Sequence, residues 1–98
     1  MKKESVYQGQ LIKKLRDIFP TAVIVKLDPN YKQGIPDLLI LENDRWATLE
    51  VKRSKNEKHR PNQDYYVEQM NNMSFSRFIF PENEEEVLHD LEQALHED

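Results

Sequence analysis

The stretch GIPDLLILENDRWATLEVK, residues 34–52, decides how the rest of the chain is read. Leu38 to Leu41 is apolar, Glu42 to Arg45 is polar, and Trp46 to Val51 is again strand-like, which predicts a β-hairpin with Asn43 and Asp44 at its tip. A two-residue turn there fixes the pairing: Glu42 faces Arg45, Leu41 faces Trp46, Leu39 faces Thr48, and Asp37 faces Glu50. Side chains alternate along a strand, so Asp37, Glu50 and Lys52 share one face and Leu38, Ile40, Leu49 and Val51 the other. Asn-Asp is a weaker turn signal than Asn-Gly, and a slip of one residue would reverse the faces.

Directly opposed residues have Cβ atoms ~4.5–5.5 Å apart. At an effective dielectric of 20, two carboxylates about 4 Å apart repel by roughly 4 kcal/mol. A shared proton or the nearby Lys52 would relieve that cost, and a divalent cation held by both acids would do so most completely. The chain has no cysteine and no clustered histidines, so oxygen donors point to Mg²⁺ or Mn²⁺. Such an ion polarises a phosphodiester and acidifies a bound water. Lys52 is placed to orient that water or to offset charge on the phosphate. The same three side chains fit equally well a surface ion-pair cluster in which Lys52 bridges two acids.

Outward from the hairpin, Leu11, Leu15 and Ile18 recur at helical spacing between about Lys3 and Phe19, and Pro20 ends that helix. Ala22 to Leu27 reads as a strand, followed by a loop through Asp28, Pro29, Asn30 and Gly34. After a basic loop, Arg53 to Arg60, Pro61 is suited to open a helix with Tyr66, Val67, Met70 and Met73 on its inner stripe. Arg77 to Phe80 reads as a short strand. Asn83 with Glu86 resembles a capping box ahead of a last helix that buries Val87, Leu88, Leu91 and Leu95. The order is αβββαβα: an α/β layered domain with helices on a sheet of about four strands.

With 98 residues there is room for one domain with one core, spanning 1–98. No apolar run approaches the ~20 residues of a membrane span. No apolar signal segment follows Met1 to Glu4, so the expected location is cytoplasmic. The formal net charge of −4 argues against a phosphate-binding surface until its distribution is considered. Residues 1–60 carry 13 Lys and Arg against 8 Asp and Glu, whereas residues 61–98 carry 1 against 10. Taken alone, both runs read more plainly as solvated faces. Trp46 and Tyr65 are able to stack on bases, though a strand Trp is more often core; His89 and His96 are too far apart along their helix for one metal.

Gly34-Ile35-Pro36-Asp37 followed by Glu50-Val51-Lys52 resembles the PD-(D/E)XK nuclease signature, and the wider frame is similar to its VRR-NUC branch. Glu4 ahead of an amphipathic helix, the strand Ala22 to Leu27, Gly34 through Leu39, Glu50 with Lys52, the basic loop and Pro61-Asn62-Gln63 follow in that order, over roughly residues 4–80. ExK or PD alone would be nearly worthless; all six elements around a hairpin of this length are specific.

The resemblance implies a restriction-endonuclease-like αβββαβ core with a mixed sheet, here extended by a C-terminal helix. It implies that Asp37 and Glu50 are metal ligands with the main-chain carbonyl of Val51, that Lys52 is the catalytic lysine, and that Gln63 supports the centre. Spacing agrees for Gln63, because Gln63, Val67 and Met70 fall on one helical face, though a polar residue at a helix start is the plainer reading. Glu4 matches the acid that completes the metal site, yet Ser5 to Gln8 also reads as a capping box that would leave Glu4 outside the helix. Arg53, Lys55, Lys58, His59 and Arg60 would line the DNA backbone, with Lys26 and Lys32 weaker candidates.

Two departures stand: Asn71, Asn72 and Met73 replace a frequent glycine, and an acidic last helix is not part of the signature. The expected activity is a Mg²⁺- or Mn²⁺-dependent, structure-selective DNA endonuclease resembling Holliday-junction resolvases of phages and bacteria, which work as dimers. The alternatives are a less selective replication or repair nuclease acting on flaps, nicks or single strands, and a non-catalytic DNA- or protein-binding module.

Overall fold

The computed structural model describes residues 3–96; Met1, Lys2, Glu97 and Asp98 lie outside it. The hairpin forms in the expected register: strand β2 (Leu38–Glu42) pairs antiparallel with β3 (Arg45–Val51), with Glu42 opposite Arg45 and Leu39 opposite Thr48. Asn43 closes the turn at φ 57°, a left-handed conformation that Asn adopts more readily than most residues. Strand β1 (Val23–Lys26) runs antiparallel along the outer edge of β2. Strand β4 (Phe75–Ile79) lies parallel to β3, giving a mixed sheet in the order β1-β2-β3-β4. A parallel neighbour requires a crossover, and helix α2 (Gln63–Met73) supplies it.

Helices α1 (Glu4–Ile18) and α3 (Glu84–His96) cover one face of the sheet. Leu11 and Leu15 of α1 and Val87, Leu91 and Leu95 of α3 pack with Leu38, Ile40, Ala47, Leu49, Val51 and Ile79 in one core. Fully burying a Leu, Ile or Val is worth about 1.5–3 kcal/mol, so this face holds the fold together. Tyr7 ties the two helices, donating to Glu84 Oε1 at 2.8 Å. Helix α2 lies on the opposite face, where Thr48 of β3 donates to Ser76 of β4 at 2.7 Å and approaches the Met70 sulfur at 3.5 Å. The chain is thus an α/β layered fold with a C-terminal helix added to the core. No helix among the described residues is long and apolar enough to cross a membrane.

Three local expectations are corrected. Helix α2 starts at Gln63, because Asn62 takes φ 72° and keeps Pro61 outside the helix. Met73 is 66% exposed, since α2 ends there and turns into β4. Strand β4 begins at Phe75, two residues before Arg77, its start fixed by pairing with Ala47 and Thr48. The Asn83 side chain accepts from the Phe80 N–H at 2.9 Å and donates to the Phe78 carbonyl at 3.1 Å. Its side chain therefore secures the end of β4, while its carbonyl accepts from the Val87 N–H at 3.0 Å where α3 begins, as expected of a helix start.

Candidate active site

Alternation along β3 turns Thr48 and Glu50 toward α2, and Lys52 follows on the same side just beyond the strand. Asp37 directly precedes β2 and is held on both sides: its carbonyl accepts from the Leu27 N–H and its Oδ2 from the Val51 N–H, both at 2.8 Å. The Asp37 and Glu50 carboxylates consequently face each other, as the register required, and Asp37 acts directly on the Glu50 charge. Glu50 and Lys52 are each only 2% exposed, which excludes the surface ion-pair cluster.

Gln63, the first residue of α2, joins acid to lysine. Its Nε2 donates to Glu50 Oε2 at 3.1 Å, while its Oε1 accepts from Lys52 Nζ at 2.7 Å and from the Arg60 N–H at 2.8 Å. Lys52 Nζ also donates to the Lys58 carbonyl at 3.3 Å and lies 3.9 Å from both Glu50 and Glu57. Gln63 is thus a buried bridge within the site, a role beyond that of a polar residue at a helix start. Among the described residues, Glu50 Oε1 is the buried side-chain atom left with no hydrogen-bond partner. A buried acceptor without a partner costs roughly 1–3 kcal/mol, more if charged.

The charges explain why that oxygen matters. Burial, then the Asp37 charge and contact, push the Glu50 carboxyl up to about 9, with Lys52 acting in the opposite direction. At neutral pH this carboxyl keeps a proton unless a cation takes the proton's place. Glu4 is pushed up to about 7 by burial, by its hydrogen bond to Glu57 and by the Glu57 and Asp37 charges. Burial also pushes the Glu57 carboxyl upward. Its bonds to Glu4 and to the Arg53 N–H, with the Lys52 and Arg53 charges, outweigh that and hold it below the usual range.

Glu4 is the first residue of α1, and Lys3 ahead of it makes no side-chain cap. The Ser5–Gln8 capping reading therefore does not hold, and Glu4 stands on the wall of a cleft of about 350 Å³ with Asp37, Glu50, Lys52, Arg60 and Gln63. The loop carrying Asn30 and Gln33 supplies another stretch of that wall. Gly34 sets that wall, with φ +89° and no room for a side chain: a Cβ there would lie 2.6 Å from Asn62 Cβ and 2.8 Å from the Pro61 carbonyl oxygen. The turn can therefore approach the start of α2 only with glycine at this position.

Among the described residues no three His, Cys, Asp or Glu side chains converge into a ready-made metal cage. Mg²⁺ does not require one, since it is usually bound through one or two carboxylates and keeps several waters. The orphaned Glu50 oxygen beside Asp37, with no thiolate in the chain, fits such an ion. Val51 enters the site through its N–H, which holds Asp37.

The basic loop follows the site directly. Arg53, Lys55, Lys58, His59 and Arg60 are exposed, and Arg60 also lines the cleft. His59 is stacked on Phe78 at 4.1 Å and pairs with Asp64 at 2.7 Å, so it anchors the loop as well as presenting a ring. Lys26 is not brought to the site: it pairs with Leu38, which places it on the α1 side of the sheet, away from Glu50. Sequence reasoning missed Glu57 as a member of the site; the lone acid inside a basic loop was the available signal. His89 and His96 lie on α3, where His96 approaches Glu42 at 3.3 Å.

No protein-family model matches the chain, and no curated protein or solved structure matches it either.

Proposed function

We propose that the protein is a Mg²⁺- or Mn²⁺-dependent DNA endonuclease that hydrolyses phosphodiester bonds in branched DNA such as Holliday junctions, acting in the cytoplasm as a homodimer. One observation carries the reading: a facing carboxyl pair, half-buried Asp37 and buried Glu50, with an unpartnered Glu50 oxygen beside a buried lysine. Its agreement with the VRR-NUC order of motifs adds support from the sequence. Asp37 and Glu50, with the Val51 carbonyl, would hold the ion, with Glu4 on the same cleft wall; the ion when bound polarises the phosphodiester and acidifies a water.

The chain's own groups do the positioning. Lys52, fixed by Gln63 Oε1 and the Lys58 carbonyl, keeps a positive charge beside the acids to offset charge on the reacting phosphate. Gln63 holds acid and lysine at a set separation, so both keep their orientation when substrate arrives. The loop Arg53 to Arg60 supplies backbone contacts that position nucleic acid without reading its sequence. A four-way junction offers two equivalent strands, which a two-fold dimer matches with two equivalent centres.

The test is incubation of labelled junction, flap, duplex and single-stranded DNA with Mn²⁺ or Mg²⁺, alongside Lys52→Ala. Junction cleavage that falls by about 10²-fold or more in Lys52→Ala is expected. Equal cleavage in the variant would remove the role given to the lysine. No metal affinity that disappears in Asp37→Asn would leave a non-catalytic binding module as the better reading.

A further inference from the structure

Glu57 is the lone acid among the cations of the loop Arg53 to Arg60. An acid in such a run reads first as a solvated counter-charge, yet this one is turned away from water. Lys55, Asn56, Lys58 and His59 around it are exposed, whereas its own side chain is only 14% exposed. Its Oε1 accepts from the Arg53 N–H at 2.6 Å, and its carboxyl is hydrogen-bonded to Glu4 at the start of α1. Its Oε2 lies 3.9 Å from Lys52 Nζ. The loop backbone closes on the same residue, the Glu57 N–H donating to the Ser54 carbonyl at 3.2 Å.

The Lys52 ammonium therefore has partners of two origins. Gln63 Oε1 at 2.7 Å and Glu50 Oε2 at 3.9 Å belong to the cleft, while the Lys58 carbonyl at 3.3 Å and Glu57 Oε2 at 3.9 Å belong to the loop. Glu57 itself borders a neighbouring hollow of about 440 Å³ with Arg53, Lys58 and His59, and Arg60 and Pro61 separate that hollow from the cleft. It reaches the reacting centre only through Lys52 and Glu4.

We propose that Glu57 is a positioning residue for phosphodiester cleavage: its carboxylate draws Lys52 toward the loop, holds the ammonium off Glu50 and keeps it in step with the cations that meet the DNA backbone. Among the described residues, Glu50 and Glu57 are the two carboxylates within 4 Å of the lysine. With Glu57 gone, Lys52 closes on Glu50, and a direct pair there would neutralise the charge meant for the phosphate. The proposal rests on the nuclease reading for the reaction that Lys52 serves.

The test compares Glu57→Gln, which keeps the size and an oxygen for the Arg53 N–H but not the charge, with Glu57→Ala. Binding of fluorescein-labelled junction DNA is read by anisotropy in EDTA, and cleavage of the same DNA by single-turnover assay with Mn²⁺ at saturating protein. Binding is expected to be unchanged or tighter in both variants, since an acid leaves a basic loop, while cleavage at saturation slows about 10–100-fold. Undiminished cleavage would make Glu57 a solvated acid after all, and binding lost together with cleavage in the folded Gln variant would make it loop scaffolding; either overturns the proposal. Lysine-selective ¹H–¹⁵N NMR in EDTA reads the lysine without any reaction, its buried ammonium assigned by the signal missing from Lys52→Arg. That signal is expected to shift or broaden in both Glu57 variants. An unmoved signal, or no protected Lys52 signal in the wild type, also overturns the proposal. A Glu57-dependent Lys52 signal in a wild type that cuts no DNA would defeat the nuclease reading and leave the lysine's placement standing.

Discussion

Glu50 concentrates the energetic cost of the site in one side chain. Its carboxyl is almost sealed from water, has one oxygen unpartnered and faces Asp37. Because its folded-state value is raised to about 9, it favours the fold fully below the ordinary carboxylate range, and that contribution is lost as pH rises toward 9. Glu4, raised to about 7, works in the same direction over a narrower window. The metal-free protein is therefore expected to melt at progressively lower temperature between mildly acid and alkaline pH. Glu50→Gln, which cannot ionise, should flatten that dependence and melt higher at alkaline pH. Each kcal/mol gained would appear as about 4–8 °C in a chain of this size. Mg²⁺ or Mn²⁺ should raise the melting temperature of the wild type at alkaline pH and leave Glu50→Gln unmoved. A thermal-shift series over pH, with and without metal, reads all of this; a wild type equally stable at both ends would contradict the burial argument.

Between elements, the decisive contact is that of the turn before β2 with the start of α2. Gly34 permits it by having no Cβ, and Asn62 meets it in a left-handed conformation. Gly34→Ala places a methyl against fixed backbone while forbidding the preferred φ, so a loss of about 1–3 kcal/mol is expected. Urea unfolding would measure it. Since α2 carries Gln63, the same substitution should cut cleavage by more than its stability loss explains, measured at a temperature where the variant is fully folded. A variant as stable and active as the wild type would show that the two segments can separate without consequence.

At the scale of the molecule, the faces of the sheet divide the work. The α1 and α3 face holds the apolar core, with Glu42, Arg45 and Arg77 toward its margins, and supplies stability, which frees the α2 face to bury Glu50, Lys52 and Gln63. Toward the β1 edge, that second face leaves Val23 56%, Val25 37% and Leu41 40% exposed. These side chains share a face by the β1–β2 register, so the proposed homodimer has an apolar strip to bury. Size-exclusion chromatography with light scattering should give twice the chain mass at micromolar concentration, and Val23→Glu with Leu41→Glu should return it to a monomer. A wild-type monomer would end the dimer proposal.

Local chemistry alone determined a good deal of this protein. The strand alternation of residues 38–51 and the two-residue turn at Asn43 set the register, and the register set Asp37 against Glu50. Helical spacing placed Gln63 on the inner face of its helix before any contact was known. Both follow from backbone periodicity, which depends only on near neighbours in the chain. Sequence left Glu4 between two readings, missed Glu57 as part of the site and kept Lys26 among the candidates for DNA contact. In each case the deciding partner is remote or on another segment: Asp37 for Glu4, Lys52 and Glu4 for Glu57, and Leu38 for Lys26. Burial, too, was decided only by the packed structure, because the desolvation that turns two acids and a lysine from a surface cluster into a strained site exists only once α2 has closed over β3.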